Sequence, residues 1–413
     1  MRPLLRRILP LFVVVALDAA SSAAVLPVLP FRLLELGATP LVLGLVLAAE
    51  ALSQLVAAPW LGQLSDRFGR KPVLLVSQAG ALLSLGLLAA ADGVALVLAA
   101  RVLLGLTAAS FVAAAAYAAD NSAAADRRQA IGILSAGLGL GGILGPGLTA
   151  WLAGASLTAP VWAAFALSAT SMLVTGLWVR DRHGAGRLAG DTAEDTAVRA
   201  RASLRSVLAA PIVRILLLVL LCHYLAYGLL SSQLAVFLSD TFTWNGHVFG
   251  ARELGYLLAA DGALNILAQL LLLPWLGRRF GERGLIVLVL SVLAVGYLLA
   301  GQANSIAMLA LAVLCVSTGA ALARPTFLTA LSVHVPRQRQ GVVMGAFQSL
   351  VAVTDIMSPM LAGLIVGQRL YGVWIGAVVA ITLAGAGLAR GRLPLAEAAE
   401  GVAEIAASGR MRQ

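Results

Sequence analysis

The sequence predicts an all-α polytopic membrane protein, with twelve transmembrane helices arranged as two parallel six-helix bundles. Three observations lead to this fold class. The 413 residues are 60% hydrophobic and only 12% charged, whereas a soluble domain carries about 25% charged residues. Apolar stretches of helix length follow one another with short polar gaps, which is typical of membrane spans. A motif in the second stretch recurs in the eighth, which indicates two related halves.

The apolar stretches give twelve predicted spans. Each has the length of a helix and lacks the short alternating pattern of a barrel strand. The first begins like a signal peptide, but Asp18 interrupts it and eleven further spans follow, so we expect no cleavage. In chain order the predicted spans are 8–31, 40–61, 72–91, 94–119, 130–154, 158–179, 211–238, 253–276, 284–301, 305–331, 341–365 and 370–389.

The positive charge of the protein is concentrated in alternate loops. The formal net charge is +10. Most of the 29 Lys and Arg residues fall in these loops or in the terminal segments; examples are Arg7, Arg70, Arg128 and Arg279. By the positive-inside rule these loops and both termini are cytoplasmic. The pattern predicts a multi-pass protein of the plasma membrane, the inner membrane of the cell. Because the basic residues report topology, we expect no nucleic-acid partner.

The recurring motif divides the sequence into halves. QLVAAPWLGQLSDRFGR begins at Gln54 and QLLLLPWLGRRFGER at Gln269; Gln, Leu and PWLG keep their spacing, and RFG follows each copy. Each half has an even number of helices, so both halves enter the membrane from the same side. Such parallel repeats place a solute site between them near the bilayer midplane. The predicted domains are a six-helix bundle, a cytoplasmic linker, a second six-helix bundle and a cytoplasmic tail: 1–180, 181–210, 211–390 and 391–413.

Four segments carry a family resemblance. They are LDAASSAAVLPVLP (17–30), GQLSDRFGRKPVLL (62–75), RVLLGLTAASFVAAAAYAAD (101–120) and GLGLGGILGPGLTAWL (137–152). The second resembles the loop between helices two and three that is typical of the major facilitator superfamily. The other three resemble helices one, four and five of its drug/proton antiporter branch, which includes tetracycline-type multidrug efflux transporters.

The resemblance implies the major facilitator fold and a secondary active transporter rather than an enzyme. Such a protein exports a small amphipathic compound or drug in exchange for protons by alternating access. We therefore expect no cofactor, because the proton gradient supplies the energy, and no metal. The expected partners are a small-molecule substrate, protons and the lipid bilayer, and the protein is expected to be a monomer.

The resemblance also assigns two conformational motifs. The loop between helices two and three implies a latch that holds the outward-open state, with Asp120 at the end of helix four as its charged partner. A glycine-rich stretch of helix five implies the interface that rocks during exchange and prevents leakage. The latch residues are Gly62, Asp66, Gly69, Arg70 and Asp120, and the antiporter motif is Gly141, Gly145 and Pro146.

Charges inside the predicted spans are the strongest functional signal of the sequence. Six such groups would together cost on the order of 15–20 kcal/mol if they faced lipid, so they must face protein or water. Asp18 lies roughly 15 Å along helix one, near the midplane. We expect Arg101 to approach Asp18 if helices one and four pack together, with Asp18 as proton carrier. A static salt bridge that orients the bundle is the alternative.

The remaining polar residues of the spans give further candidates. Glu50 and Asp355 join Asp18 and Arg101 as proton-coupling candidates, although either acid could instead be permanently protonated at a helix interface. Polar stripes on helices two and eight, and two tyrosines on helix seven, predict a substrate cavity; aromatic packing is the alternative for the tyrosines. The cavity candidates are Ser22, Gln54, Tyr224, Tyr227, Asp261, Asn265 and Gln269.

Departures from the tetracycline pattern point away from tetracycline itself as the substrate. The acids of helices three and nine are absent from 82–86 and 290–294, and Asn265 stands at the place of a family histidine. A proton-coupled uptake symporter of the same fold remains an alternative function, and an integral-membrane enzyme a remote one. The four histidines are scattered, and neither HExxH nor GxSxG occurs.

Overall fold

The protein spans the membrane twelve times. Its structure, a computed structural model, describes residues 2–123, 126–179, 210–335 and 339–393. These residues include twelve candidate spans that are long and apolar enough to cross a membrane. The predicted all-α membrane fold is therefore confirmed. Most of the predicted linker, and the predicted tail beyond Leu393, lie outside the described residues.

Most spans are single helices, and three are interrupted. The first span consists of α1 and α2, the fourth of α5 and α6, and the eighth of α10, a π-helical turn and α11. In chain order the helices are α1 (Arg2–Val25), α2 (Leu29–Glu35), α3 (Pro40–Phe68), α4 (Arg70–Ala89), α5 (Val94–Thr107), α6 (Ser110–Asp120), α7 (Arg127–Leu152), α8 (Ala159–Trp178), α9 (Pro211–Thr241), α10 (Ala251–Leu267), the π turn (Ala268–Leu272), α11 (Leu273–Arg279), α12 (Glu282–Gly301), α13 (Ile306–Val333), α14 (Gln340–Gly367) and α15 (Tyr371–Arg392).

Backbone contacts group the protein into two compact units. The first unit comprises the described residues within Met1–Arg187, Ser231–Ala263 and Asp355–Tyr371, and the second those within Leu188–Leu230, Leu264–Thr354 and Gly372–Gln413. Parts of α9, α10 and α14 thus belong to the first unit with α1–α8. The division of the sequence at the linker stays a prediction.

The first unit is built around α1. This helix packs against α6, α7 and α8, and α4 packs against α5, α6 and α8. Val14 of α1 meets Val73 and Leu74 of α4 in a buried apolar cluster. Asp18 lies one turn further along α1, so this packing brings it close to polar side chains of the surrounding helices.

The fourth span is broken, although the sequence predicts a continuous helix over 94–119. The backbone leaves the helical path between Thr107 and Ser110. The cause is Ser77 of α4, whose hydroxyl donates to the Thr107 carbonyl and accepts from the Ala109 N–H at 3.0 Å. A side chain inserted into the helical hydrogen-bond ladder is a known cause of a kink. Ser77 thus binds the same two backbone groups that pair with each other across the break, where the Ala109 N–H also donates to the Thr107 carbonyl at 2.8 Å.

The eighth span contains a π-helical turn over Ala268–Leu272. Pro274, two residues after the end of this turn, has no N–H with which to continue an α-helical ladder. A wider turn before the proline accommodates the missing donor, and such π turns are often found at functional sites. Asn265 and Gln269 lie at this irregular point of the span.

A short β-hairpin joins α9 to α10. Its strands, β1 (Thr243–Trp244) and β2 (His247–Val248), pair antiparallel across Asn245 and Gly246. Both turn residues have positive φ, 49° and 87°, as a two-residue type I′ turn requires. The all-α prediction omitted this element, although Asn-Gly is a strong hairpin signal.

Large apolar side chains lie on the surface of the spans. Trp60, Trp151 and Leu177 are each at least 70% exposed. In a soluble monomer such extensive apolar exposure would be unusual. Around membrane helices it provides the surface that contacts lipid.

Candidate proton and substrate site

Asp18 lies in a pocket of neutral polar groups. The Gln78 side-chain amide of α4 donates from Nε2 to Asp18 Oδ2 at 3.3 Å. The hydroxyls of Ser171 on α8 and Ser110 on α6 are also hydrogen-bond neighbours of the Asp18 carboxylate. Three helices besides α1 therefore contribute to this site. Its partners among the described residues are uncharged, in contrast to the predicted approach of Arg101.

Close packing of α7 holds α1 in this position. Gly141 and Gly145 face α1 one helical turn apart. A Cβ at Gly145 would lie 2.5 Å from the Ala20 carbonyl oxygen, and a Cβ at Gly141 would meet the backbone of α1 in the same way. Only glycine permits this approach. Two residues of the predicted antiporter motif thus define the position of the helix that carries Asp18.

Arg101 pairs with Glu50 rather than with Asp18, which corrects the predicted pairing. Arg101 Nη1 lies 3.3 Å from Glu50 Oε2, and the side chains are 5% and 28% exposed. The Nε and Nη2 atoms of Arg101 are buried without a hydrogen-bond partner within the described ranges. The salt bridge of Arg101 therefore involves an acid other than the one that the sequence predicted.

Gly105 explains why Arg101 meets Glu50. This glycine lies one turn after Arg101 on the same face of α5. A Cβ at Gly105 would collide with the Glu50 carbonyl and lie 2.9 Å from Ser53 Cβ. The contact brings α5 against α3, so the guanidinium one turn away meets the acid on α3.

The predicted latch is assembled around Arg70. Its guanidinium donates to Asp66 Oδ1 at 2.6 Å, to Asp120 Oδ2 at 3.1 Å and to Ser65 Oγ at 3.0 Å. Gly69, between α3 and α4, has φ of 95° and so takes a conformation that favours glycine. The other predicted latch residue, Gly62, is exposed on α3. The arrangement ties α3, α4 and α6 together; its role as a latch stays a prediction.

Pro146, the third residue of the antiporter motif, lies where α7 meets α10. A Cβ at Gly255 of α10 would lie 2.8 Å from the Pro146 carbonyl oxygen, and one at Gly262 would lie 3.1 Å from the Gly142 carbonyl oxygen. Pro146 cannot donate a hydrogen bond to the Gly142 carbonyl, because proline has no N–H. The glycines of α10 therefore allow its backbone to lie against the irregular part of α7.

The substrate-cavity candidates fall in both units. In the first unit, Ser22 and Gln54 are exposed and Asp261 is half-buried. In the second unit, Gln269 Nε2 donates to Asn265 Oδ1 at 2.7 Å. The proton-coupling candidate Asp355 is exposed on α14. Their roles stay predictions.

Tyr224 and Tyr227 belong to an aromatic cluster around His223 in the second unit. The His223 ring centroid lies 4.9 Å from that of Tyr224 and 6.2 Å from that of Tyr227. Phe327 adds a ring at 5.6 Å. His223 is buried, and its Nδ1 has no hydrogen-bond partner among the described residues. This contact pattern agrees with the packing alternative for the two tyrosines.

Gln78, whose amide binds Asp18, is not among the site residues predicted from the sequence. A neutral amide in an apolar span carries no charge signal. The sequence does indicate Gln78 in one way: it is the only glutamine in the third predicted span, 72–91. A buried polar side chain needs hydrogen-bond partners, so its position alone predicted a polar contact between helices.

Comparisons with known proteins agree with these features. The model of the Major Facilitator Superfamily matches residues 11–359. The Tetracycline resistance protein, class C, of Escherichia coli is 31% identical over 350 residues, which cover 84% of this chain and 86% of that protein. Multidrug resistance protein 1 of Bacillus subtilis (strain 168) is 27% identical over 346 residues, covering 83% and 85%.

Solved structures are similar to this protein in fold. The nucleoside transporter NupG superposes with a TM-score of 0.74 at 15% identity, covering 92% of this chain and 98% of that one. The human organic anion transporter MFSD10 (TETRAN) superposes with a TM-score of 0.66 at 22% identity, covering 94% and 99%. At these identities the likeness speaks to the fold alone.

Proposed function

This chain belongs to the Major Facilitator Superfamily, and we propose that it exports a small amphipathic compound or drug in exchange for protons by alternating access. The family and the drug-efflux branch predicted from the sequence are confirmed, because curated relatives are tetracycline and multidrug resistance proteins. The relatives are transporters. For this protein we accordingly propose transport and no enzymatic reaction.

The setting of Asp18 carries the proposal. A carrier must bind a proton in one state of the cycle and release it in another. A carboxylate fixed to an arginine would be held in its ionised form. Asp18 instead has the amide of Gln78 and two hydroxyls as neighbours, while Arg101 is engaged by Glu50. Both protonation states of Asp18 are therefore accessible, and we assign it the proton and assign Glu50 a structural pair.

Alternating access couples this site to transport. In our proposal both termini are cytoplasmic, the protein lies in the plasma membrane as a monomer, and the proton gradient drives export without a cofactor. Protonation neutralises Asp18, and the neutral side chain can then move with α1 between environments of different polarity. The Gly141 and Gly145 contacts transmit movement of α1 to α7. The Arg70 cluster stabilises one of the two end states.

The proposed substrate is an amphipathic drug other than tetracycline. The relatives named for tetracycline support a drug as cargo, but this protein lacks the acids that the tetracycline pattern has in helices three and nine. In their place Leu85, Leu290 and Leu293 are buried apolar residues. An uptake symporter remains the second candidate, because it would use the same fold and a buried acid.

Everted membrane vesicles loaded with a pH-sensitive dye test the proposal. A panel of amphipathic compounds is added to energised vesicles, and proton release with compound uptake is followed. We expect at least one compound to exchange for protons in the wild type and Asp18→Asn to abolish its uphill movement. Asp92→Asn, an exposed aspartate after α4, is the matched control. Uphill movement by Asp18→Asn, or compound movement in the same direction as protons, would overturn the proposal.

A further inference from the structure

We propose that Gln78 is a positioning residue of the proton site, and that its side-chain amide rotates with the protonation of Asp18 so that each state has a matching partner. This inference rests on the proposed function of Asp18. It begins with the burial of Gln78, whose side chain is 0% exposed on α4. Buried amides are expected to satisfy both of their polar atoms.

The amide of Gln78 uses only one of its two ends. Nε2 donates to Asp18 Oδ2 at 3.3 Å and to Ser171 Oγ at 2.9 Å. Oε1 is buried and has no partner among the described residues. The structure therefore holds an unused acceptor at the opposite end of the amide that binds the proton carrier. This orientation suits an ionised Asp18, because a carboxylate only accepts.

A half-turn of the terminal amide suits the protonated acid equally well. A protonated carboxyl has an O–H to donate, and Oε1 would then occupy the place of Nε2. Ser171 adapts without moving, since its hydroxyl both donates and accepts. It now donates to the Val14 carbonyl at 3.2 Å, and it would donate to Oε1 after the rotation. One amide end remains unsatisfied in either orientation, the carbonyl oxygen before the rotation and the amino group after it.

No charged side chain of the surrounding described helices replaces Gln78 as the hydrogen-bond partner of Asp18. Of the helices packed on α1, α8 has no charged residue. The charged groups of α4, α6 and α7 lie at their ends, and Tyr117 lies in the last turns of α6. Arg101 of α5 is paired with Glu50. Ser110 faces Asp18 but also hydrogen-bonds Ser77 Oγ at 3.0 Å, beside the helix break.

Difference infrared spectroscopy on the reconstituted wild-type protein tests the rotation directly. With isotope-labelled glutamine, acidification should shift one glutamine amide carbonyl band to lower frequency, because Oε1 gains hydrogen bonds from Asp18 and Ser171. The shift should follow the same pH midpoint as the Asp18 carboxyl band and be absent from Asp18→Asn. A glutamine band that does not move while Asp18 titrates would overturn the inference.

Transport measurements add a second readout. Gln78→Met keeps the shape of the side chain and removes both polar ends. Because a charge-assisted bond to the carboxylate is stronger than a neutral one, the midpoint of the pH–efflux profile should move by about one unit to higher pH. Ser84→Ala, another buried polar residue of α4, which donates to the Ala100 carbonyl at 2.7 Å, should keep the wild-type midpoint.

The outcomes separate this inference from the proposed function. If Asp18→Asn retains uphill export, the assignment of the carrier fails, whereas the infrared band still decides whether the amide follows Asp18. If Asp18→Asn loses uphill export but Gln78→Met keeps the wild-type midpoint, only the positioning role fails. An equal loss of efflux at every pH in Gln78→Met would also refute it, since that result indicates a structural role.

Discussion

The Glu50–Arg101 pair should contribute to stability rather than to proton coupling, and replacing its members by methionine tests this. Arg101 is 5% exposed and Glu50 28%. Glu50→Met leaves the deeper charge with no partner, and removal of one member of a buried pair costs about 3–5 kcal/mol. Arg101→Met leaves a carboxylate that is only partly buried, so a smaller cost of about 1–2 kcal/mol is expected.

The double variant distinguishes the charge effect from lost packing. Replacing both partners by apolar residues of similar size is often neutral. We therefore expect Glu50→Met/Arg101→Met to lie within about 1 kcal/mol of the wild type. The coupling energy is then at least about 3 kcal/mol. Thermal unfolding of the purified protein in detergent should rank Glu50→Met lowest, Arg101→Met next and the double variant close to the wild type.

Transport by the isosteric variant completes this test. Glu50→Gln should retain proton-driven export, while Asp18→Asn loses it, because the Glu50 carboxylate is paired with Arg101. A double variant less stable than both single variants would refute the reasoning on stability. Loss of uphill export in Glu50→Gln, with export intact in Asp18→Asn, would show that the two acids have the opposite roles.

Three other perturbations act on the same helices and on the topology. Gly145→Ala should lose uphill export and cost about 1–3 kcal/mol by overpacking, whereas Gly147→Ala should resemble the wild type because its Cβ would meet nothing within 4 Å; equal effects in a vesicle assay would contradict the packing argument. Asp66→Asn removes an exposed ion pair worth at most about 1 kcal/mol, so insertion and expression should be normal while turnover falls, and wild-type turnover would count against a latch. In a variant without the two native cysteines, Asn304→Cys should react with an impermeant maleimide on intact cells and Arg128→Cys only after permeabilisation; the reverse result would invert the proposed topology.

Span number and order were predictable because they depend on composition alone. Apolar runs of sufficient length have few alternatives to a membrane helix. The hairpin at Asn245 and Gly246 was predictable too, from its turn residues. The same is true of the Arg70 cluster, whose Asp66 lies four residues away in the sequence.

The partners of buried charges could not be predicted from the sequence, because they depend on helix rotation and distance. Depth along the helices placed Arg101 within reach of Asp18. The contact of Gly105 with α3, visible only in three dimensions, brings it to Glu50 instead. The break in the fourth span was hidden for a similar reason. Its cause, Ser77, belongs to another helix, and no proline or glycine marks residues 107–110 themselves.

The interruption of the fourth span also separates two mechanical tasks. On one side of it, α5 is fixed to α3 by Gly105 and by the arginine–glutamate pair. On the other side, α6 ends at Asp120, which belongs to the Arg70 cluster. The helix break lies between them, and the Ser77 hydroxyl and a backbone hydrogen bond from Ala109 to Thr107 connect its two sides. If the Arg70 cluster opens during transport, we expect residues 108–109 to absorb the tilt of α6 and the charge pair on α5 to keep its position. Because Ser110 is the first residue past the break and a neighbour of Asp18, the break lies beside the carboxylate that gains and loses the proton.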